Sequence, residues 1–274
     1  MSRIGRIAVP VLCLMMDAAC ILLFFPLSRG LAAAAAAIYV AAVAALPLLH
    51  ETGHLLGGKM SGYRLLFLRM GPFLLERDAK GRLRASFGKG RGWQCAMVPG
   101  RAERGDFPYR LYNFGGILTD LLACALGLAG CLIEGMGTWK GLFFLQLLWA
   151  GLPRVYWNGM PDLREGVPTD GYILRLLARE PAARRDYAAY LQVYALCCQG
   201  IPFDARAYGY IRDPEGNRLF YDALQELLRE WGTESAPGEE TRMEREIGPG
   251  GGGRERAEEC ARPGSTGKVG QAKR

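Results

Sequence analysis

The chain has 274 residues, half of them hydrophobic, with 34 basic against 27 acidic side chains and a formal net charge of +7. Its apolar residues are gathered into long runs, so an evenly mixed soluble composition is excluded. No basic patch interleaved with stacking aromatics accompanies the charge, which excludes nucleic acid as the expected partner. The eight cysteines contain no CxxC, so no cysteine metal framework or disulfide scaffold is expected either.

The first apolar run, residues 7–27, follows Arg3 and Arg6 and contains Asp17. Small residues at 32–37 raise the alternative of a cleaved signal, but the run is longer than a typical signal core and carries an acid, so a retained membrane helix is expected. The second run, 31–56, has no charge from Leu31 to Leu49 and is long enough to cross a bilayer. At its end stand the only two histidines of the chain, in His50-Glu51-Thr52-Gly53-His54. Positions i and i+4 share one face of a helix, so the two imidazoles can hold one zinc while Glu51 serves as general base for a water. That is the pattern of a zinc hydrolase placed at a membrane. Pro47, one turn earlier, would loosen the helix locally and admit water, or equally serve as a packing kink.

Between Ser61 and Pro99 short apolar stretches alternate with glycine and charge, and Asp78-Ala79-Lys80-Gly81 reads as a hairpin turn. A small antiparallel sheet beside the membrane is predicted over 61–100, serving either as an edge that holds an extended peptide by strand addition or simply as a connecting hairpin. Two further spans are predicted at 111–133 and 139–157, the latter interrupted by Arg154. Basic residues crowd the segment from Lys59 to Arg110 and are nearly absent from the Ser28–Gly30 and Glu134–Thr138 connections. The positive-inside rule therefore puts both termini and the Lys59–Arg110 segment in the cytoplasm. Residues 172–231 read as soluble helices broken at Pro181, at Ile201-Pro202 and around Asp213–Gly216, with Leu219, Leu224, Leu227 and Leu228 as a packing stripe.

The expected architecture is thus mainly α, a polytopic bundle of about four membrane helices with a small β-hairpin region. Residues 1–177 form the membrane core, 178–232 a cytoplasmic helical region, and 233–274 a disordered tail rich in Glu, Arg and Gly. The expected partners are the lipid bilayer and a membrane protein or peptide substrate.

A catalytic zinc commonly takes three protein ligands. A third histidine in the metzincin spacing is excluded, because Gly57 is in place but Met60 stands where that histidine would be. Carboxylates remain, with Cys95 as an outside candidate. Asp170 is favoured: it follows the fourth run on the same side as the histidines, between Pro168 and Gly171, which would set a tight turn. Glu76 is the alternative acid, and would mean a different class of membrane metalloprotease.

Together these elements resemble the site-2 protease family of intramembrane zinc metalloproteases. HExxH ends one membrane helix, Asn158-Gly159-Met160-Pro161 follows about a hundred residues later, Asp170-Gly171 comes after it, and Gly115-Gly116 opens the third run like the family's glycine-rich element. The resemblance covers residues 31–177 and implies zinc held by His50, His54 and Asp170, catalysis by Glu51, and orientation of the substrate backbone by Asn158. It also implies a bacterial cytoplasmic membrane. Residues 162–167 lengthen the connection to Asp170, as in a divergent bacterial branch, and no PDZ-like segment is visible. A catalytically silent relative, acting as a membrane scaffold or transporter partner, is the competing reading; the retained Glu51 argues against it.

Overall fold

The structure, a computed structural model, describes residues 3–25, 29–78, 80–88, 92–100, 107–135, 137–164, 166–204 and 218–231. The predicted tail, the break around residues 213–216 and the last residues of the first run lie outside these. The chain divides into two compact units, one of Met1–Gly57, Arg110–Arg164 and Pro168–Arg175, the other of Gly58–Tyr109, Glu165–Val167 and Leu176–Arg274.

The first unit is helical: α1 (Arg3–Phe24), α2 (Arg29–Met60), α3 (Tyr109–Glu134), α4 (Trp139–Gly159) and the opening turns of α5 (Asp170–Arg179). Three stretches, Ile7–Phe24, Gly30–Met60 and Tyr109–Glu134, are long and apolar enough to cross a membrane. Large apolar side chains such as Leu12, Met15 and Leu23 on α1 and Leu122, Leu126 and Ile133 on α3 are exposed. A surface of this kind is costly in water and ordinary against lipid tails, consistent with a membrane protein.

The fourth expected span forms a helix, but Lys140, Gln146, Arg154 and Asn158 dilute its apolar character and it is not among those three. Gln146 Nε2 donates to Asp17 Oδ1 at 2.8 Å, both side chains buried. The acid that interrupts α1 is therefore bonded to the amide that interrupts α4. Small residues bring α3 and α4 close: a Cβ on Gly127 would reach Leu148 N at 2.8 Å, and one on Gly130 would collide with the Phe144 ring. Two apolar clusters complete the packing, one of Leu46, Ala123 and Ala150, the other including Phe25, Leu31, Cys131, Leu142 and Leu145.

The second unit holds the predicted sheet: β1 (Tyr63–Met70), β2 (Phe73–Arg77), β3 (Leu83–Phe87) and β4 (Trp93–Pro99), antiparallel in the order β3-β2-β1-β4. The expected turn joins β2 to β3. Gly81 adopts φ +77°, a left-handed conformation that favours glycine, and the Arg82 N–H donates to Asp78 Oδ1 at 2.8 Å. Period-two alternation puts Phe67, Leu74 and Ala96 on one sheet face. They share a core with Val193 and Tyr194 of α6 (Pro181–Gln199) and Leu224, Leu227 and Leu228 of α7 (Leu219–Trp231). The sequence reading grouped the sheet with the long helices and set residues 178–232 apart; the structure joins sheet, α6 and α7 through this common core. The expected breaks fall in place, with Pro181 opening α6 and Gly200, at φ 63°, closing it.

Candidate metal centre

His50, Glu51 and His54 lie on α2 as the spacing predicts, and all three are buried. The two Nε2 atoms stand 3.1 Å apart. Asp170 opens α5, and its Oδ2 lies 3.1 Å from His50 Nε2 and 3.3 Å from His54 Nε2. Among the described residues, this trio is the one cluster of His, Cys, Asp and Glu able to hold a metal. Glu76 on β2 and Cys95 on β4, the alternative ligands, are not part of it.

The connection before Asp170 closes on itself. β5 (Leu163–Arg164) and β6 (Val167–Pro168) form a two-stranded ladder, with Gly166 at φ +89° between them. The Thr169 N–H donates to the Asp162 carbonyl at 3.0 Å, and the Asp162 N–H to Thr169 Oγ1 at 3.1 Å. Thr169 Oγ1 also accepts from Tyr172 N at 3.3 Å, capping α5, and its hydroxyl donates to the Met160 carbonyl at 2.7 Å. Gly171 sits against the Gly159 carbonyl so closely that a Cβ would overlap it. Asp170 is thereby fixed to the end of α4. Burial pushes its carboxyl up, and His54 and His50, when protonated, outweigh burial and hold it below the usual carboxylate range.

The other face of each imidazole shows which nitrogen is available. His54 Nδ1 lies 2.8 Å from the Tyr112 carbonyl, which can only accept, so Nδ1 carries the hydrogen and Nε2 offers a lone pair. His50 Nδ1 lies 2.8 Å from Asp120 Oδ2 and is assigned its hydrogen on the same ground. With both imidazoles neutral, two lone pairs and a carboxylate oxygen converge, an arrangement a cation satisfies. Three ligands of a tetrahedral ion at 2.0–2.1 Å stand about 3.3 Å apart, the size of the observed triangle.

Glycines make this possible. A Cβ on Gly53 would strike the Gly115 carbonyl and one on Gly57 the Leu111 carbonyl, so α2 and α3 touch backbone to backbone. A Cβ on Gly116 would clash with His54 Nε2 and lie 2.6 Å from His50 Nε2. The space beside the ligand atoms exists because residue 116 has no side chain.

Asn158 is near: its Nδ2 donates to Asp120 Oδ2 at 3.1 Å and lies 3.3 Å from His50 Nδ1, the nitrogen remote from the triangle. Asp120 itself, with no exposed surface, is the residue that sequence reasoning missed, together with its partner Arg154, whose Nε lies 3.3 Å from Asp120 Oδ1. A signal was present, because Asp120 is the one acid inside the third apolar run. No family model matches the chain, and neither a curated protein nor a solved structure matches it.

Proposed function

We propose that the chain is a zinc-dependent endopeptidase acting within or beside a membrane, related in mechanism to the site-2 proteases. The observation that carries this reading is the convergence of His50 Nε2, His54 Nε2 and Asp170 Oδ2 on helices of an apolar bundle. Zinc held there would polarise a scissile carbonyl and acidify water toward neutrality. Glu51, buried next to His50 in the sequence, accepts the proton of the attacking water and returns it to the amine as the peptide C–N bond breaks. Asp120 keeps His50 in place and is itself held by Asn158, and any contact of Asn158 with substrate would come from the amide oxygen. β3 is an edge of the sheet and offers an extended peptide a strand to pair with.

In this reading α4 crosses the bilayer as a fourth span and both termini are cytoplasmic. Support comes from the inward engagement of Gln146, Arg154 and Asn158 with acids on α1 and α3, which removes three polar groups from the lipid.

Glu51→Gln tests the chemistry. The purified variant keeps zinc near stoichiometry, measured by elemental analysis, and loses hydrolysis of a denatured protein in detergent by at least about a hundredfold. Undiminished hydrolysis sinks the role of Glu51, and a wild-type protein that binds zinc yet cleaves nothing favours the silent scaffold.

A further inference from the structure

The ligand atoms come from α2 and α5, but the groups that aim them come from elsewhere. His54 is backed by a neutral carbonyl of α3, whereas His50 is backed by a full carboxylate, Asp120, in the interior of a helix otherwise apolar enough to span a membrane. A carboxylate in that setting is expensive unless it is paired. Asp120 is paired three ways: Oδ2 accepts from His50 Nδ1 at 2.8 Å and from Asn158 Nδ2 at 3.1 Å, and Oδ1 accepts from Arg154 Nε at 3.3 Å. Both Arg154 and Asn158 belong to α4, one helical turn apart.

We infer that Asp120 is a positioning residue for the metal centre, and that Arg154 and Asn158 hold it there, so that α3 and α4 set the metal affinity of ligands they do not supply. Three consequences follow from the contacts. Asp120 fixes His50 in the tautomer that leaves Nε2 bare, because a carboxylate accepts and cannot donate. It fixes the ring plane, since an imidazole held at Nδ1 has little freedom about its last torsion. It also supplies negative charge to the imidazole that faces a divalent ion, while Arg154 compensates that charge within the helix bundle. With Glu51 and Asp170 ionised, these side chains and one divalent cation sum to zero charge, which suits a site of low dielectric.

This rests on the metal reading above, and the test separates the two. Full-length protein in detergent is stripped with chelator and titrated with zinc against a chromophoric competitor, and with cobalt for its visible absorption. Asp120→Leu, which leaves His50 Nδ1 without an acceptor, weakens zinc binding by about 10–100-fold. Asp120→Asn, which can still present an oxygen to Nδ1, falls between Asp120→Leu and wild type, and Arg154→Gln weakens binding less than Asp120→Leu does. Gln146→Leu removes another buried polar group of α4 but touches Asp17 instead, and leaves zinc affinity unchanged. A shifted cobalt spectrum in Asp120→Asn marks an altered ligand field, which a merely structural role would not produce. Should Asp120→Leu fail to fold, Asp120→Asn carries the test alone. Zinc affinity within twofold of wild type and an unaltered cobalt spectrum in folded Asp120→Asn, with Asp120→Leu equally unaffected where it folds, overturn the inference and leave the metal site standing. A wild-type protein that binds no metal overturns both.

Discussion

Asp170 and Asp162 lie eight positions apart in the same connection, both acids and both partly or fully withdrawn from solvent, and they serve the fold differently. Asp170 sends a side-chain oxygen to the histidines, whereas Asp162 bonds Thr169 through its backbone N–H and carbonyl. Asp170→Ala therefore removes a third of the ligand set, and bound zinc falls well below stoichiometry in elemental analysis. Asp162→Ala leaves those backbone bonds intact and retains zinc; equal losses in the two variants would refute the ligand assignment. Of the site, His50, Glu51 and His54 were legible because helical periodicity alone brings them together. Asp170 needed a second element to return to the first, which a turn sequence and a family resemblance suggested. Asp120 was not legible, since a residue that acts through another residue carries no spacing of its own and shows only as a lone acid in an apolar run.

At the level of elements, the α2–α3 contact governs the site. Gly116→Ala places a methyl group against both Nε2 atoms, and zinc affinity falls by more than about tenfold because the ligands must move apart. Gly127→Ala, on the same helix, meets Leu148 and Phe144 of α4 instead; it lowers thermal stability by about 1–3 kcal/mol of overpacking while zinc stoichiometry persists. If both variants keep zinc, the glycine does not shape the metal space. In the β2–β3 hairpin, Asp78 offers a titration. Its carboxyl is held below the ordinary value chiefly by the Arg82 backbone N–H, with partial burial opposing and the Arg82 and Arg84 guanidinium groups assisting. A depressed folded pKa gives stabilisation that is full above the unfolded value, near pH 4, and is lost as pH falls through the lower folded value. Exchange protection of the Arg82 amide therefore declines in acid below about pH 4, and Asp78→Ala lacks that decline. The hairpin was readable from Asp78–Gly81, but the partner of its sheet was not: which helices cover Phe67, Leu74 and Ala96 is a matter of long-range packing that no local pattern specifies.

Across the helical unit as a whole, the contacts fix how the long helices run, and this bears on whether α4 crosses the membrane. The end of α2 meets the start of α3, Gly53 and Gly57 against Gly115 and Leu111, so these two helices are antiparallel. α4 then runs back along α3. Cys131 Sγ, near the end of α3, lies 3.7 Å from the Gly141 carbonyl near the start of α4, and Asp120, nearer the start of α3, meets Arg154 and Asn158 near the end of α4. With 21 residues, α4 is about 31 Å long at 1.5 Å per residue, close to the thickness of a hydrocarbon core. If α3 crosses, a helix of that length lying alongside it covers the same depth, whatever its mean hydropathy. Composition alone understates α4, because three of its polar residues are paired within the bundle. Four crossings return the chain to its starting side, so residues beyond Gly159 share the side of the Lys59–Arg110 segment; three crossings would put them opposite. Single cysteines introduced at Lys80, Gly137 and Glu234 in a background lacking the native cysteines distinguish these outcomes. Impermeant reagent applied to intact cells labels position 137 and spares positions 80 and 234, which react only after the membrane is opened. Labelling of position 234 from outside would mean that α4 turns back without crossing, and with it the cytoplasmic placement of everything after α4 would fall.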